Sequence, residues 1–255
     1  IFKKFIDFGG HVMLSSRVKK ILLNDNSVRG IKLQNDNEIL SGLVVSNIDA
    51  RQTFIDLSEG KMDSSFLKKV EEMRESCSFF LLYLGVGGDV DLSNLKRGFY
   101  HTATDASTMD KEWLYISVPT KICPTLAPSN KQIISVVVYL NKAMYKNVTD
   151  WKSFKESMTL QTINRLESYI PNLNKYIEVK ESATPKTLER YTSNTNGAAY
   201  GWEVSVDQMW ENRLPQKTPI ENLYLTGHWT KPGPGICAVV SSGWGVANLI
   251  MENWR

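Results

Sequence analysis

The C-terminal stretch NLYLTGHWTKPGPGICAVVSSGWGVANLI, residues 222–250, is the most informative part of this chain. It begins with a short apolar strand at residues 223–226, continues through a turn rich in glycine and proline, and ends in an apolar segment of helical length. This order directs the N–H groups of the helix N-terminus beyond the end of the strand. The stretch therefore predicts either a site for an anionic or electron-rich ligand or an ordinary buried helix after a tight turn.

The predicted helix contains many small residues, among them Gly243 and Gly245. A glycine inside a helix costs about 1 kcal/mol relative to alanine. Two such glycines indicate close approach of either a neighbouring backbone or a flat ligand.

Composition indicates a soluble globular protein of one large or two small domains, because 42% of the 255 residues are apolar and 22% are charged. The net charge of +3 comes from 30 basic and 27 acidic residues, which is too balanced for a nucleic-acid-binding surface. No apolar run reaches the roughly 20 residues of a membrane span, and no signal peptide is visible. We therefore expect a cytoplasmic protein, or one that contacts a membrane peripherally.

Known catalytic and metal-binding patterns do not identify a site. The three histidines and three cysteines are scattered without the spacing of metal ligands, so no metal is expected. The sequence GVGGDV at residues 85–90 lacks the complete dinucleotide-binding pattern, and it is interpreted as a strand end. Catalytic residues stay unknown at this point.

The N-terminal part predicts a helix at residues 1–8 and then a meander of short strands. The strands are expected at residues 11–14, 17–23, 28–33, 38–40 and 43–45. The last of them reads LVVS and predicts a strand buried on both faces. Helices are expected at residues 47–57 and 64–74.

The central part predicts a second domain built on a mixed sheet. Strands are expected at residues 78–86, 113–118, 132–140 and 176–182, with a helix at 151–169 and a helical turn at 184–190. The predicted fold class is α/β, of mixed α+β character. The predicted domain limits are 1–60, 61–205, and 206–255 as a return to the first domain.

Aromatic residues gather before and inside the C-terminal stretch, at Tyr200, Trp202, Trp210 and Trp229. Aromatic side chains mostly fill cores, but they can also form the wall of an apolar cavity.

Residues 9–50, GGHVMLSSRVKKILLNDNSVRGIKLQNDNEILSGLVVSNIDA, taken together with residues 222–250, resemble the carotenoid dehydrogenase and isomerase family. That family comprises phytoene desaturases, carotenoid isomerases and retinol saturases, and it is related to the flavin amine oxidases. The resemblance covers nearly all of this chain and about the C-terminal half of such an enzyme. Since the chain begins at Ile1 within a helix-like segment, we expect it to be a fragment or a processed chain.

The resemblance implies an FAD enzyme in which a discontinuous Rossmann-like domain is interrupted by a substrate domain. It implies that the backbone of Val18 meets the adenine and that Asn47 stands at a strand end beneath the cofactor. Gly227 would let the backbone approach the pyrophosphate and the ribityl chain.

The same resemblance places the segment from Pro232 through Gly233 and Gly235 to Ile236 beside the isoalloxazine ring. The helix that begins near Gly235 and Ile236 would then point its positive end at the N1/O2 edge of the flavin, where negative charge develops on reduction. His228 stands where many related flavoproteins have an acidic residue for the ribityl hydroxyls, so this chain departs from the pattern there.

The implied function is desaturation, saturation or isomerisation of an apolar polyene, carotenoid or retinoid-like, with a hydride moving between flavin and a conjugated or allylic hydrocarbon. Tyr200, Trp202 and Trp229 are the candidates for the substrate pocket. The glycine-rich βαβ unit that holds the FAD pyrophosphate in the family is missing from this sequence, so the chain alone is expected to bind FAD weakly and to be inactive. Two alternatives stay open: a flavin-dependent amine or porphyrinogen oxidase, and a non-catalytic module that binds a lipid or a protein partner.

Overall fold

The computed structural model describes residues 1–95, 98–101 and 113–253, with residues 98–101 described by their backbone. Within it the chain divides into two compact units. The first unit comprises Ile1–Met73 and Val206–Arg255, and the second comprises Arg74–Ser205. The first unit thus extends past residue 60 and includes helix α2 (Ser64–Glu72). The Arg51 guanidinium holds the end of this helix by donating hydrogen bonds to the carbonyl groups of Glu71 and Met73.

The first unit opens with α1 (Phe2–Asp7) and an antiparallel sheet of order β1-β2-β3. Its strands are β1 (Val18–Asn24), β2 (Ser27–Leu33) and β3 (Glu38–Leu40). Strand β4 (Val44–Ser46) follows and leads into a π-helix at Gln52–Leu57. The strand predicted at residues 11–14 is wrong, because Val12, Met13 and Leu14 lie exposed in an irregular segment without the cross-strand pairing that a strand requires.

The C-terminal residues return to this unit as β10 (Leu223–Leu225) and α5 (Ile236–Asn253). Strand β10 pairs in parallel with β4, and Leu225 lies opposite Ser46. The three residues of β10 are buried, but Val45 in β4 is 41% exposed. The prediction that β4 is buried on both faces is therefore wrong for the face to which Val45 points, since successive strand residues point to opposite faces.

The second unit is built on a sheet of order β6-β7-β8-β5-β9, in which the described strands pair antiparallel throughout. The strands are β5 (Ser78–Gly87), β6 (Gly98–His101), β7 (Leu114–Ser117), β8 (Lys131–Leu140) and β9 (Ile177–Ala183). Helices α3 (Trp151–Leu166) and α4 (Pro185–Thr192) complete it. Alternate residues of β5 and β8 are buried, so one face of the sheet packs on the core that α3 covers with Ile163 and Leu166.

The predicted α/β class is confirmed, with helices and with both parallel and antiparallel strand pairs. A parallel pair whose second strand leads into a helix is the arrangement expected of a Rossmann-like domain. In the described part of the chain, none of the helices combines the length and the hydrophobicity needed to cross a bilayer.

Replacement of Leu82 by alanine tests the core of the second unit. Leu82 is fully buried, so Leu82→Ala should lower the free energy of unfolding by about 2–5 kcal/mol, through lost transfer energy and the cavity left behind. Urea denaturation followed by circular dichroism measures the change. Leu160→Ala is the matched control, because Leu160 is 60% exposed and its loss should shift stability by at most about 0.5 kcal/mol. Equal effects of the two substitutions would contradict the core assignment.

Candidate functional site

The turn between β10 and α5 begins at Gly227, whose φ of +88° favours glycine. A Cβ built on Gly227 would lie 2.2 Å from Oδ1 of Asn47, a distance too short for a carbon atom. Asn47 follows β4 directly, so the parallel pairing of β4 with β10 brings the Asn47 amide against the Gly227 backbone. The structure therefore brings together two of the residues that the family resemblance implied would lie beside the cofactor.

Ser242 fastens the turn to the helix that follows it. Its hydroxyl accepts a hydrogen bond from the Gly227 amide at 3.1 Å, and its side chain is fully buried on the face of α5 toward β10. The Gln216 side chain donates to both the carbonyl and the hydroxyl oxygen of Ser242, at 2.6 and 3.1 Å. The position of Gln216 also favours glycine at residue 245, because a Cβ on Gly245 would lie 2.7 Å from the Gln216 side-chain oxygen.

The middle of the turn is anchored by Leu214. Its carbonyl accepts hydrogen bonds from the Thr230 hydroxyl at 2.7 Å and from the Lys231 amide at 3.0 Å. Trp229 is buried and its ring lies 5.6 Å from that of His228. The peptide bond between Lys231 and Pro232 is cis. The two hydrogen bonds to the Leu214 carbonyl hold the backbone of the turn at Thr230 and Lys231.

A buried arginine lies under the far side of the turn. Arg213 is fully buried, and its Nη2 donates to the carbonyl oxygen of His228 at 2.6 Å. A Cβ on Gly233, whose φ is +123°, would lie 3.4 Å from Arg213 Nε. Burial lowers the pKa of Arg213 to about 10, so the guanidinium stays positively charged at neutral pH.

The surroundings of His228 favour its uncharged form. Burial lowers its pKa, the Arg213 guanidinium lowers it further, and the Asp49 carboxylate acts in the opposite direction. Asp49 is fully buried and accepts a hydrogen bond from the Arg51 amide at 2.8 Å. Sequence reasoning missed both Asp49 and Arg213 as neighbours of this histidine.

The turn ends in open space at the start of α5. Gly235 has a φ of +104° and no atom within 4 Å of a Cβ built on it, and Ile236 is 84% exposed. The first intrahelical hydrogen bond runs from the Val239 amide to the Gly235 carbonyl at 2.9 Å. The amides that precede Val239 in the first turn thus point out of the helix end, where they and the helix dipole favour an electron-rich ligand.

The remaining predicted residues lie elsewhere. Val18 starts β1, opposite Leu33 of β2. Tyr200 and Trp202 belong to the second unit, where Trp202 is fully buried and Tyr200 packs edge-on against Phe79 at 5.6 Å. Their assignment to a substrate pocket, like that of Trp229, stays a prediction. In residues 1–95 and 113–253, no group of three acidic, histidine or cysteine side chains is placed to hold a metal ion.

Solved structures share this fold. An oxidoreductase from Methanosarcina mazei superposes with a TM-score of 0.64 at 17% identity, over 96% of this chain and 52% of that protein. Putrescine oxidase bound to putrescine superposes with a TM-score of 0.65 at 10% identity, over 98% of this chain and 51% of that one. The chain therefore has the fold of about half of each of these two proteins.

No family model matches the chain, but its sequence is similar to those of several curated proteins. Prolycopene isomerase of Daucus carota is 28% identical over 94% of this chain and 40% of its own length. Phytoene desaturases of Rhodobacter capsulatus and Pantoea ananas are each 27% identical, over 98% and 99% of this chain and 51% and 54% of their own lengths. The resemblance to carotenoid desaturases and isomerases is thus confirmed, and the chain spans about half the length of the curated relatives it matches.

Substitution of Gly227 by alanine tests the close approach of Asn47. Gly227→Ala should lower the free energy of unfolding by about 1–3 kcal/mol, because the new Cβ meets Asn47 Oδ1 at a positive φ. Adding Asn47→Ala should restore part of that loss, since the clash disappears and the backbone strain remains. Gly42→Ala, with open space around the new Cβ, is the control and should change stability by at most about 1 kcal/mol. Equal losses with and without Asn47 would contradict the contact.

His228 should make the protein less stable at mildly acidic pH. Its pKa is lowered in the folded state, so the unfolded state binds the proton more readily. Stability from this group is therefore complete above the unfolded pKa of about 6.5 and is lost as pH falls below it toward the folded pKa. Denaturation measured across this range should show the loss, and His228→Asn should remove it. A histidine NMR titration with a pKa above about 6.5 would refute the assignment.

Proposed function

We propose that this chain is the part of an FAD-dependent oxidoreductase that orients the flavin ring, in an enzyme that desaturates, saturates or isomerises an apolar polyene of carotenoid or retinoid type. The observation that carries the proposal is the glycine turn from Gly227 to Gly235, which opens on the exposed N-terminus of α5. The relatives named for phytoene and prolycopene support the polyene as substrate class.

The turn fits a flavin in two respects. Its glycines leave the backbone bare where a flat ring system or a diphosphate chain has to come close, and at Gly235 no side chain fills the space. The amides of the first turn of α5, at Ile236 and the residues after it, supply donors and partial positive charge for the electron-rich pyrimidine part of the ring. The flavin, when bound, supplies the redox chemistry, and the protein supplies binding and orientation.

Different residues of this chain would contact different parts of the FAD. Gly227 and Asn47 would approach the ribityl and diphosphate part, where Asn47 offers an amide to polar groups. The segment from Pro232 to Ile236 would face the ring, and the Val18 backbone would meet the adenine. Contacts of Ser242 with Gly227, and of Leu214 with Lys231, support these roles because they fix the turn before any ligand binds.

Two side chains of the turn suit a hydrocarbon substrate. Trp229 is apolar and buried, and burial favours the uncharged form of His228. Desaturation of a hydrocarbon needs orientation and exclusion of water more than acid or base groups of the protein. The assignment of Tyr200, Trp202 and Trp229 to the substrate pocket comes from the sequence and is part of the proposal. The proposed location is cytoplasmic or peripheral to a membrane, and an apolar substrate of this kind favours contact with the membrane surface.

The proposal is tested with the protein expressed from its complete coding sequence. The purified protein should show yellow flavin absorbance, and incubation with phytoene, prolycopene or a retinoid should give a desaturated, saturated or isomerised product in chromatography. Flavin absorbance with turnover of an amine alone would favour the amine oxidase alternative. Absence of bound flavin would leave a non-catalytic lipid- or partner-binding module.

An acidic residue at the start of α5 should weaken flavin binding. Ile236→Asp places a carboxylate at the first helical position, which supports the helix itself but offsets its positive end. The dissociation constant of FAD, measured by fluorescence, should rise about fivefold, which corresponds to ~1 kcal/mol at a helix terminus. Ile236→Asn has nearly the same shape without the charge and should change affinity by less than about twofold. Equal affinities of the two variants would argue against a flavin ring at this helix end.

A further inference from the structure

Arg213 couples the two halves of the turn. One end of its guanidinium donates to the His228 carbonyl at 2.6 Å, while its Nε, Cζ and Cδ lie under Gly233, at 3.4 to 3.6 Å from a Cβ built there. Met209 contacts the same guanidinium through its sulfur atom at 3.6 Å from Nη1. The side chain is fully buried, so its position relative to the turn is fixed by packing.

Because Arg213 is buried, water screens its positive charge only weakly. A charge inside a protein is screened less than one in water, and its field therefore extends to groups that it does not touch. Arg213 lies directly behind the segment that ends at the N-terminus of α5, and both contribute positive potential to the same turn. The uncharged form of the neighbouring His228 is favoured, because burial and the Arg213 guanidinium lower its pKa.

From this geometry we propose that Arg213 is a positioning residue that sets the reduction potential of the bound flavin, an inference that rests on the proposed function. Its hydrogen bond to His228 holds the turn in place, and its positive charge beneath Gly233 stabilises the negative charge that a flavin gains on reduction. Removing the charge should therefore favour the oxidised flavin over the reduced one.

Two substitutions separate the charge from the hydrogen bond. Arg213→Gln keeps an amide donor for the His228 carbonyl and loses the charge, whereas Arg213→Lys keeps the charge and loses the fork-like donor geometry. For each variant of the complete protein, the affinities for oxidised FAD and for FAD reduced with dithionite are measured, together with the midpoint potential.

The compared quantity is the dissociation constant of reduced FAD divided by that of oxidised FAD. This ratio should be lower in the unsubstituted protein than in Arg213→Gln. The expected change in the ratio of the two dissociation constants is about tenfold, which equals ~30 mV for a two-electron couple. Arg213→Lys should stay within about threefold of the unsubstituted ratio. If Arg213→Gln does not fold, the lysine variant decides, since a tenfold change in its ratio would overturn the role of the charge.

The outcomes separate this inference from the proposed function. FAD binding with an unchanged ratio in Arg213→Gln would overturn the role of Arg213 and leave the flavin site standing. An unsubstituted protein that binds neither oxidised nor reduced FAD would overturn the proposed function and this inference with it. Equal weakening of both oxidation states would show that Arg213 only maintains the shape of the turn.

Discussion

The parallel pairing of β4 with β10 is the constraint on which the candidate site depends. It aligns Leu225 with Ser46, although the entire second unit separates these residues in sequence. Because the Thr226 amide continues the pairing with a 2.9 Å bond to the Ser46 carbonyl, the next residue, Gly227, must meet Asn47. The contact of the Gly227 turn with the end of β4 therefore follows from the register of the strand pair, since a shift by one residue would send every side chain to the other face.

Three polar side chains then hold the backbone of the turn in place through hydrogen bonds. Ser242 holds its first residue, Gln216 holds Ser242, and Arg213 holds the carbonyl of His228. Each of these groups is buried or half-buried, where an unmade hydrogen bond costs about 1–3 kcal/mol, so the polar contacts favour one backbone path. A turn fixed in this way loses little entropy when it binds a ligand, which is an advantage for orienting a reactive ring.

Much of the fold could be predicted from the sequence, because long apolar runs constrain it strongly. Residues 78–86 are buried at every second position, as a strand with one core face requires, and strand β5 indeed covers Ser78–Gly87. The glycines and prolines likewise located the turn before α5. The strand predicted at residues 11–14 was wrong, because an apolar composition favours a strand only where a partner strand pairs with it. Arg213 was missed because a single charged residue in an irregular segment has no periodicity, and its place under Gly233 depends on tertiary packing.

We propose that the backbone from Gly227 to the first turn of α5 receives the flavin. Amide hydrogen exchange of the protein from its complete coding sequence, measured with and without FAD, tests it most directly. FAD should slow exchange at Gly227 and at the amides from Ile236 to Val239, while exchange in β8 of the second unit should be unchanged. FAD binding that leaves Gly227 and the start of α5 unprotected would contradict it.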